Sequence, residues 1–380
     1  MIDNAEHYMQ TAINLAKRGI GSVEPNPAVG AVITKANQII GEGWHKKFGE
    51  AHAEINALKD CESLGISPKG GTIYVTLEPC CHQGKTGPCT RALIEAGISK
   101  VFIAAGDSSK HNNGQGIQQL KNAGIEVHTG ILEKQAKLLN APFFKHAITG
   151  KPWVVLKWAQ TIDGQVAFAS KEKKPRWISN EASRRDVHKL RRRSQAILVG
   201  INTVIADNPM LTPRPDKGQK LLRIVMDSFL KIPSDCKLLK TADECPVMIY
   251  TSRFTIDKNP EILQTLKQTQ AELFTYPDTH GMSNIYYLLD ELGKRDISQL
   301  LVEGGPTVLA SFLAENFADE IYVYISPQIL GEQGGAKLAG PLSHLAQAVG
   351  LHYVNFKQFN DNIRITGLTT KALRELGISE

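Results

Sequence analysis

His45-Lys-Lys-Phe-Gly-Glu-Ala-His52-Ala-Glu54, then, after one helix and one strand, Leu77-Glu-Pro-Cys80-Cys-His82-Gln-Gly-Lys85-Thr-Gly-Pro-Cys89: this stretch decides the fold. His52, Cys80 and Cys89 offer one imidazole and two thiolates, ligand types that suit zinc. Three protein ligands leave the fourth tetrahedral position open, as a catalytic site requires. Glu54, just past the histidine, can reach a water activated there and move its proton. A lone His or Cys is more often packed in a core than bound to metal. What favours the metal is the joint occurrence of His-Ala-Glu, Glu-Pro-Cys and a further Cys, in that order and on fitting elements.

The pattern resembles the zinc nucleobase deaminases, whose Pro-Cys dipeptide identifies Cys80 rather than Cys81 as the ligand. It departs from them in spacing, because eight residues separate Cys80 from Cys89. With that spacing the segment resembles the deaminase half of the bifunctional riboflavin-biosynthesis deaminase/reductase family. That family inserts a substrate-gripping loop, Pro-Cys-x-His-x-Gly-x-Thr-x-Pro-Cys, between its two zinc cysteines, and residues 79–89 match every specified position. The resemblance implies His52, Cys80 and Cys89 as metal ligands, Glu54 as the catalytic proton carrier, and Asn26, His45, His82 and Lys85 as substrate contacts. For Asn26, flanked by Pro25 and Pro27, an ordinary turn role is the competing reading.

The chain has 380 residues, enough for two domains that each bury a core. A net charge of +6 fits phosphorylated substrates and is too small to argue for nucleic acid. Six cysteines, two of them assigned to metal, make no disulfide framework, so a reducing, cytoplasmic setting is expected. Met-Ile-Asp-Asn-Ala-Glu-His has no basic region leading into an apolar core, hence no signal peptide is expected. No apolar run reaches membrane-spanning length.

Asp3 or Asn4 is expected to cap a first helix ending before Gly19, and a strand is expected over 29–33. His52 opens a helix running to Gly65. Its place at the helix start matters, since residues two apart within a helix do not share a face. A strand over 72–77 ends at Glu78-Pro79. The next strand, 101–105, leads to Asp107 at its carboxyl end, where ligands of open α/β sheets gather. The family reads Asp-Pro-Asn-Pro there, followed by Gly-x-Gly. This chain keeps Asp107, Gly114 and Gly116 but has Ser109 for the Asn, so Asp107 alone carries over as a substrate contact. One helix, a strand and one more helix then complete the domain.

Turn residues at 149–152 set the expected boundary, giving domains 1–148 and 149–380. Ala159-Gln-Thr-Ile-Asp163-Gly164 resembles the first-strand motif of dihydrofolate-reductase-like domains. Gly200-Ile-Asn-Thr203-Val-Ile-Ala-Asp207-Asn-Pro209 and Val302-Glu303-Gly304-Gly305-Pro306-Thr307 each follow an expected buried strand. A glycine turn opening a helix offers unpaired N–H groups to a phosphate, although tight strand-to-helix packing explains such a turn about as well. The expected fold class is therefore α/β throughout: a cytidine-deaminase-like three-layer domain, then a dihydrofolate-reductase-like domain. The resemblance implies substrate contacts from Arg191, Leu211, Arg214 and Glu303. It implies cofactor contacts from Lys157, Ala159, Trp177, Thr203, Asp207, Ser228, Gly304, Gly305, Pro306 and Thr307. The other cations of the run 184–193 read as a solvated helix face.

The implied reactions are zinc-dependent hydrolytic deamination of a 2,5-diamino-6-(ribosylamino)pyrimidinone 5′-phosphate, then NADPH-dependent reduction of its ribosyl group to ribityl. Asp227 at the end of a strand would favour NAD in a Rossmann protein. Here Ser228 and Lys231, as phosphate partners, favour NADPH. The expected partners are a phosphorylated pyrimidine and a second copy of the chain in a dimer or tetramer, with no nucleic acid and no membrane. Two rivals stay open: a nucleic-acid base deaminase with an appended domain, and a zinc-stabilised binding protein without catalysis. The cysteine spacing and the reductase-like motifs argue against the first, and Glu54 argues against the second.

Overall fold

The computed structural model describes residues 2–82, 87–109, 112–169, 177–215, 221–258, 260–276, 285–338, 342–343, 345 and 347–379. The chain divides into two compact units, Met1–Gly150 and Lys151–Glu380.

In the first unit, strands β1 (Gly30–Lys35), β2 (Gln38–Trp44), β3 (Thr72–Leu77), β4 (Lys100–Ala105) and β5 (Glu126–Thr129) form one sheet in the order β2-β1-β3-β4-β5. β1 is antiparallel to both its neighbours, whereas β3, β4 and β5 are parallel. Helices cover both faces, which is why these strands read as apolar runs. Helix Ile2–Ala16 packs on β1 and β3 and buries Tyr8, Met9, Ala12, Ile13 and Ala16. Helices Ala53–Ser63, Cys89–Glu95 and Gln115–Asn122 bury Ala57, Cys61, Leu93 and Leu120 against Ile33, Ile73, Val75, Val101 and Ile103. This is the expected three-layer arrangement.

Three local expectations change. The first helix begins at Ile2, ahead of Asp3 and Asn4, so neither is its cap. β2 was not foreseen: it pairs with β1 through Ala36 and Asn37, both with positive φ (48° and 62°). A two-residue hairpin turn of this kind usually announces itself as Asn-Gly, and Ala-Asn hides it. The single closing helix is two, Glu133–Leu139 and Ala141–Thr149. Between them Asn140 accepts from Ala28 N (2.8 Å) and donates to Ala28 O (2.9 Å), tying the break to the loop that carries Asn26.

The second unit holds β6 (Trp153–Thr161), β7 (Gln165–Phe168), β8 (Ala196–Gly200), β9 (Leu222–Met226), β10 (Val247–Ser252), β11 (Glu272–Tyr276), β12 (Gln299–Val302), β13 (Glu320–Ser326), β14 (Gly334–Lys337), β15 (Leu351–Phe359) and β16 (Asn362–Thr369). Nine of them form one sheet, ordered β11-β10-β9-β8-β12-β6-β13-β16-β15, and β14 pairs with β7. The sheet is parallel from β11 to β13 and antiparallel over β13, β16 and β15. β12 returns to lie between β8 and β6, so the glycine turns after β8 and β12 open side by side at the carboxyl edge. Ligands of open α/β sheets collect at such a reversal.

The helix bearing Glu54 lies so close to β2 that a methyl group on Gly43 would sit 2.3 Å from both Ala53 O and Ala57 N. Gly43→Ala is expected to push this helix off the sheet and destabilise the first unit by about 2 kcal/mol. Hydrogen–deuterium exchange should show lost protection over 53–63 with the second unit unchanged.

Candidate functional site

His52 stands at the N-cap of helix Ala53–Ser63 in extended conformation (φ −71°, ψ 169°). Outside the helical spiral, its ring turns toward the cysteines while Glu54, in the first turn, points to the same place. Cys80 follows Pro79 beyond β3, and Cys89 is the first residue of helix Cys89–Glu95. Cys80 Sγ lies 3.5 Å and Cys89 Sγ 3.3 Å from His52 Nδ1. All three ligand atoms fall within 4.8 Å of one another. Tetrahedral zinc with ordinary Zn–S and Zn–N bonds separates S from N by about 3.5 Å, so the donor set fits that metal. Cys81 stays outside the cluster, with its N–H donating to Asn112 Oδ1 at 3.2 Å. Hydrogen bonding from Cys89 and from His52 holds the Cys80 thiol well down, at about 4. The bond with Cys80 and burial push Cys89 up, so one thiolate forms readily. Glu54, 3% exposed, is raised to about 7, first by burial and then by Cys80.

His45 is buried beside His52, their rings edge to face at 5.4 Å. Its Nδ1 donates to Ala51 O (3.1 Å), since a carbonyl can only accept. Burial lowers its pKa, and because an amide nitrogen can only donate, Nε2 accepts from Asn26 Nδ2 at 3.4 Å. His82 is exposed at the edge of the described residues and Lys85 lies outside them.

Glu78 is a residue that the sequence marked only as a strand end. Its Oε2 accepts from Asp107 N (3.0 Å) and Gly114 N (3.1 Å). Its Oε1 accepts from Gly116 N (2.9 Å) and Ile117 N (3.2 Å). A methyl on Gly116 would lie 2.2 Å from Pro79 O. The two glycines thus let the chain wrap a buried carboxylate next to the Cys80 loop. Asp107 Oδ1 accepts from Ser109 N at 2.7 Å, which makes Ser109 part of the turn that fixes Asp107.

In the second unit Glu303, after β12, accepts from Arg191 Nε (2.7 Å) and Nη2 (2.9 Å), with Lys157 Nζ 3.8 Å away. Burial alone would raise Glu303, but Arg191 and Lys157 bring it to about 2. Lys157 is lowered by burial and by Arg191. Two basic side chains thus converge on one carboxylate. Glu303 holds two nitrogens of the Arg191 guanidinium, and Nη1 donates to Thr212 O at 3.2 Å. Leu211, 3% exposed with φ 56°, turns its side chain into the core, so only its backbone can meet a ligand. Arg214 is exposed and its carbonyl accepts from Arg192 Nη1 at 3.0 Å. Of the other cations on the helix Glu181–Arg193, Arg185 and Lys189 face solvent, with Arg185 paired to Glu181 at 2.6 Å, whereas Arg184, Arg192 and Arg193 are half-buried. Fully buried Arg223 anchors the same loop by donating to Met210 O at 3.2 Å. His188, also unforeseen, has a buried Nδ1 without a partner among the described residues.

The glycine turns divide in role. A methyl on Gly304 would come 2.7 Å from Val199 Cα, so this glycine is required by packing. One on Gly305 would meet only Thr203 Oγ1, at 3.6 Å, which leaves room for a ligand before helix Pro306–Ala314. Thr203 Oγ1 accepts from Gly305 N at 3.1 Å and binds the two turns together. Pro306 and exposed Thr307 open that helix, Ala159 lies on β6, and exposed Asp207 ends the helix Ile201–Asp207. Trp177 is exposed under the Arg184 guanidinium at 5.0 Å. Asp227 is fully buried and its Oδ2 accepts from Ile232 N at 2.8 Å, so it serves its own turn.

Residues 152–364 match the family model described as the RibD C-terminal domain. Residues 2–105 match the cytidine and deoxycytidylate deaminase zinc-binding region. The riboflavin biosynthesis protein RibD of Aquifex aeolicus is 42% identical over 329 residues, covering 86% of this chain and 88% of that protein. Its counterpart in Escherichia coli is 38% identical over 360 residues, covering 90% and 93%. Solved RibD from Acinetobacter baumannii superposes with a TM-score of 0.82 at 36% identity, covering 97% of this chain and 100% of that one. A solved Thermotoga maritima diaminohydroxyphosphoribosylaminopyrimidine deaminase/5-amino-6-(5-phosphoribosylamino)uracil reductase gives 0.81 at 33%, covering 97% and 99%.

Cys80→Ala and Cys89→Ala should each lose bound zinc by elemental analysis, whereas Cys81→Ala should keep it. Equal loss in all three would place the ligand set wrongly. Glu303→Gln should leave Lys157 and Arg191 buried without their counter-ion, at a cost of about 3–5 kcal/mol. Calorimetric melting of the intact chain should show it, and deamination should persist below the transition.

Proposed function

The chain belongs to the bifunctional riboflavin-biosynthesis deaminase/reductase family, and on that footing we propose how its residues divide the two reactions. The first unit is a zinc-dependent deaminase acting on 2,5-diamino-6-(5-phosphoribosylamino)pyrimidin-4(3H)-one. The second is an NADPH-dependent reductase that converts the ribosyl group of 5-amino-6-(5-phosphoribosylamino)uracil to ribityl. The observation that carries the reading is the zinc-spaced triplet His52, Cys80, Cys89 with buried Glu54 beside it.

Zinc held by these three side chains would supply Lewis-acid activation of water. Glu54 takes the proton from the attacking water and delivers it to the departing ammonia. A carboxyl raised toward neutrality suits both halves of that transfer. The Asn26 amide oxygen accepts an N–H of the pyrimidine, oriented by the His45 contact. His82 and Lys85 supply donors for the ring carbonyl or the phosphate, and Asp107 accepts a ribose hydroxyl.

In the reductase, NADPH supplies the hydride and the chain supplies position. Gly304 and Thr307, flanked by Thr203, Asp207, Ala159 and Trp177, present backbone N–H groups to the nucleotide's phosphates. Gly305 leaves room for them, and Pro306, which has no N–H, opens the helix. Lys157 orients the nicotinamide against the substrate. Glu303 keeps lone pairs beyond its Arg191 bonds to accept ribose hydroxyls. With Arg191 engaged by Glu303, Arg214 takes the substrate phosphate and the Leu211 backbone lines the approach. Ser228 meets the 2′-phosphate of NADPH, with Lys231 nearby. The inward-turned Asp227 carboxylate supports a choice of NADPH over NADH.

The chain acts as a homo-oligomer in this reading. β15 is a sheet edge with Val354 42% and Phe356 68% exposed, and an open edge with apolar side chains favours pairing with a second copy. No helix among the described residues is long and apolar enough to cross a membrane.

The two sites act separately. Glu54→Gln should therefore abolish deamination while keeping its zinc, and should reduce supplied deaminated intermediate at near the parent rate. Mass spectrometry of products with and without NADPH reads both. A deaminating Glu54→Gln would overturn the role of Glu54, and loss of reduction as well would replace two sites by one coupled site.

A further inference from the structure

The carboxyl ends of β9, β10 and β11 gather hydroxyl groups that the scheme above leaves unused. The parallel register sets Tyr250 beside Met226 and Ser252 beside Tyr276, so Tyr276 shares a face with Ser252 and Tyr250. Tyr276 is fully buried, its ring 4.8 Å from that of Tyr250, and its phenol reaches Ser228 Oγ at 3.1 Å. Thr255 Oγ1 donates to the Ser228 carbonyl at 2.6 Å. Ser228 is thus gripped at its backbone and its side chain, while remaining half-buried at the strand end.

We propose that Tyr276 is a positioning residue that turns Ser228 into an outward hydrogen-bond donor, and so sets the preference for the phosphorylated nicotinamide nucleotide. The inference rests on reading Ser228 as a contact of the 2′-phosphate. A serine hydroxyl has one proton and two lone pairs, and its rotor is free until a partner fixes it. A phenol is more acidic than an alkanol, so Tyr276 donates and Ser228 Oγ accepts on its inner side. The Ser228 proton is then directed away from the core. A phosphate presents only acceptors, so it binds a serine that shows its proton and is repelled by one that shows a lone pair. Asp227 strengthens the selection, because its buried carboxylate accepts from Ile232 N at 2.8 Å instead of facing the ligand. The ribose hydroxyl of NAD both donates and accepts, so it tolerates either setting of the rotor.

The test is equilibrium binding of NADP+ and of NAD+ to the full chain, followed by quenching of its tryptophan fluorescence. Tyr276→Phe removes only the phenol oxygen. Its Kd for NADP+ should rise about tenfold while that for NAD+ changes less than twofold. Ser228→Ala should show the same selective loss, and the double variant should lose no more than Ser228→Ala alone. Equal weakening of both nucleotides in Tyr276→Phe would make the tyrosine a packing residue and overturn the proposal, as would additive losses in the double variant. Full NADP+ affinity in Ser228→Ala would instead overturn the reading of Ser228 on which the proposal stands. A selective loss in Ser228→Ala with none in Tyr276→Phe would remove Tyr276 alone.

Discussion

A histidine and a glutamate two positions apart must reach one point, and an α-helix forbids this within its spiral. The chain meets the constraint by leaving His52 extended at the N-cap and starting the helix at Ala53. Much of the first unit follows from that arrangement. Gly43 lets the helix press on β2, which fixes the height of Glu54 above the sheet. Pro79 stops β3 where Cys80 can face His52, and helix Cys89–Glu95 begins on the second sulfur. Each ligand stands at the end of a regular element, where backbone direction can change without breaking a ladder.

Two buried carboxylates position the loops of the two units, by different means. Glu78 accepts four backbone N–H groups, from Asp107, Gly114, Gly116 and Ile117, and so gathers a segment distant in sequence around the Cys80 loop. Glu303 is met by side-chain cations, Arg191 in a bidentate pair and Lys157 beside it. Backbone donors fix a path of the chain; a guanidinium fork fixes one helix against one strand end. A buried pair of this second kind contributes little net stability, because desolvation offsets attraction. Its value is geometric: it holds helix Glu181–Arg193 over β12.

The glycine turns of the second unit separate packing from binding. Gly304 has no room for a side chain because β8 lies against it, whereas Gly305 has room that the protein does not fill. A glycine needed for close approach and one with open space around it look alike in sequence. Ser228 and Asp227 show the same ambiguity at the end of β9, where the carboxylate turns inward and the hydroxyl is held by Tyr276.

The residue types and spacings of 45–89 pointed to zinc, to three donors that the fold brings within 4.8 Å of one another and to Glu54 beside them, because zinc coordination demands particular donors and the N-cap position follows from the spacing of His52 and Glu54. They also distinguished Cys80 from Cys81, and the glycine-turn motifs located the reductase half. The hairpin at Ala36-Asn37 was hidden because alanine, unlike asparagine, is uncommon at positive φ. The roles of Glu78, Arg223, His188 and Tyr276 could not be read either, since each depends on partners brought together only by sheet order. Arg191 shows the limit most directly. Its type and position announced a cation at the site, but whether the guanidinium meets a phosphate or Glu303 is decided by β12 returning beside β8. Local sequence dictates which chemistry a residue carries; long-range packing dictates which neighbour that chemistry is aimed at.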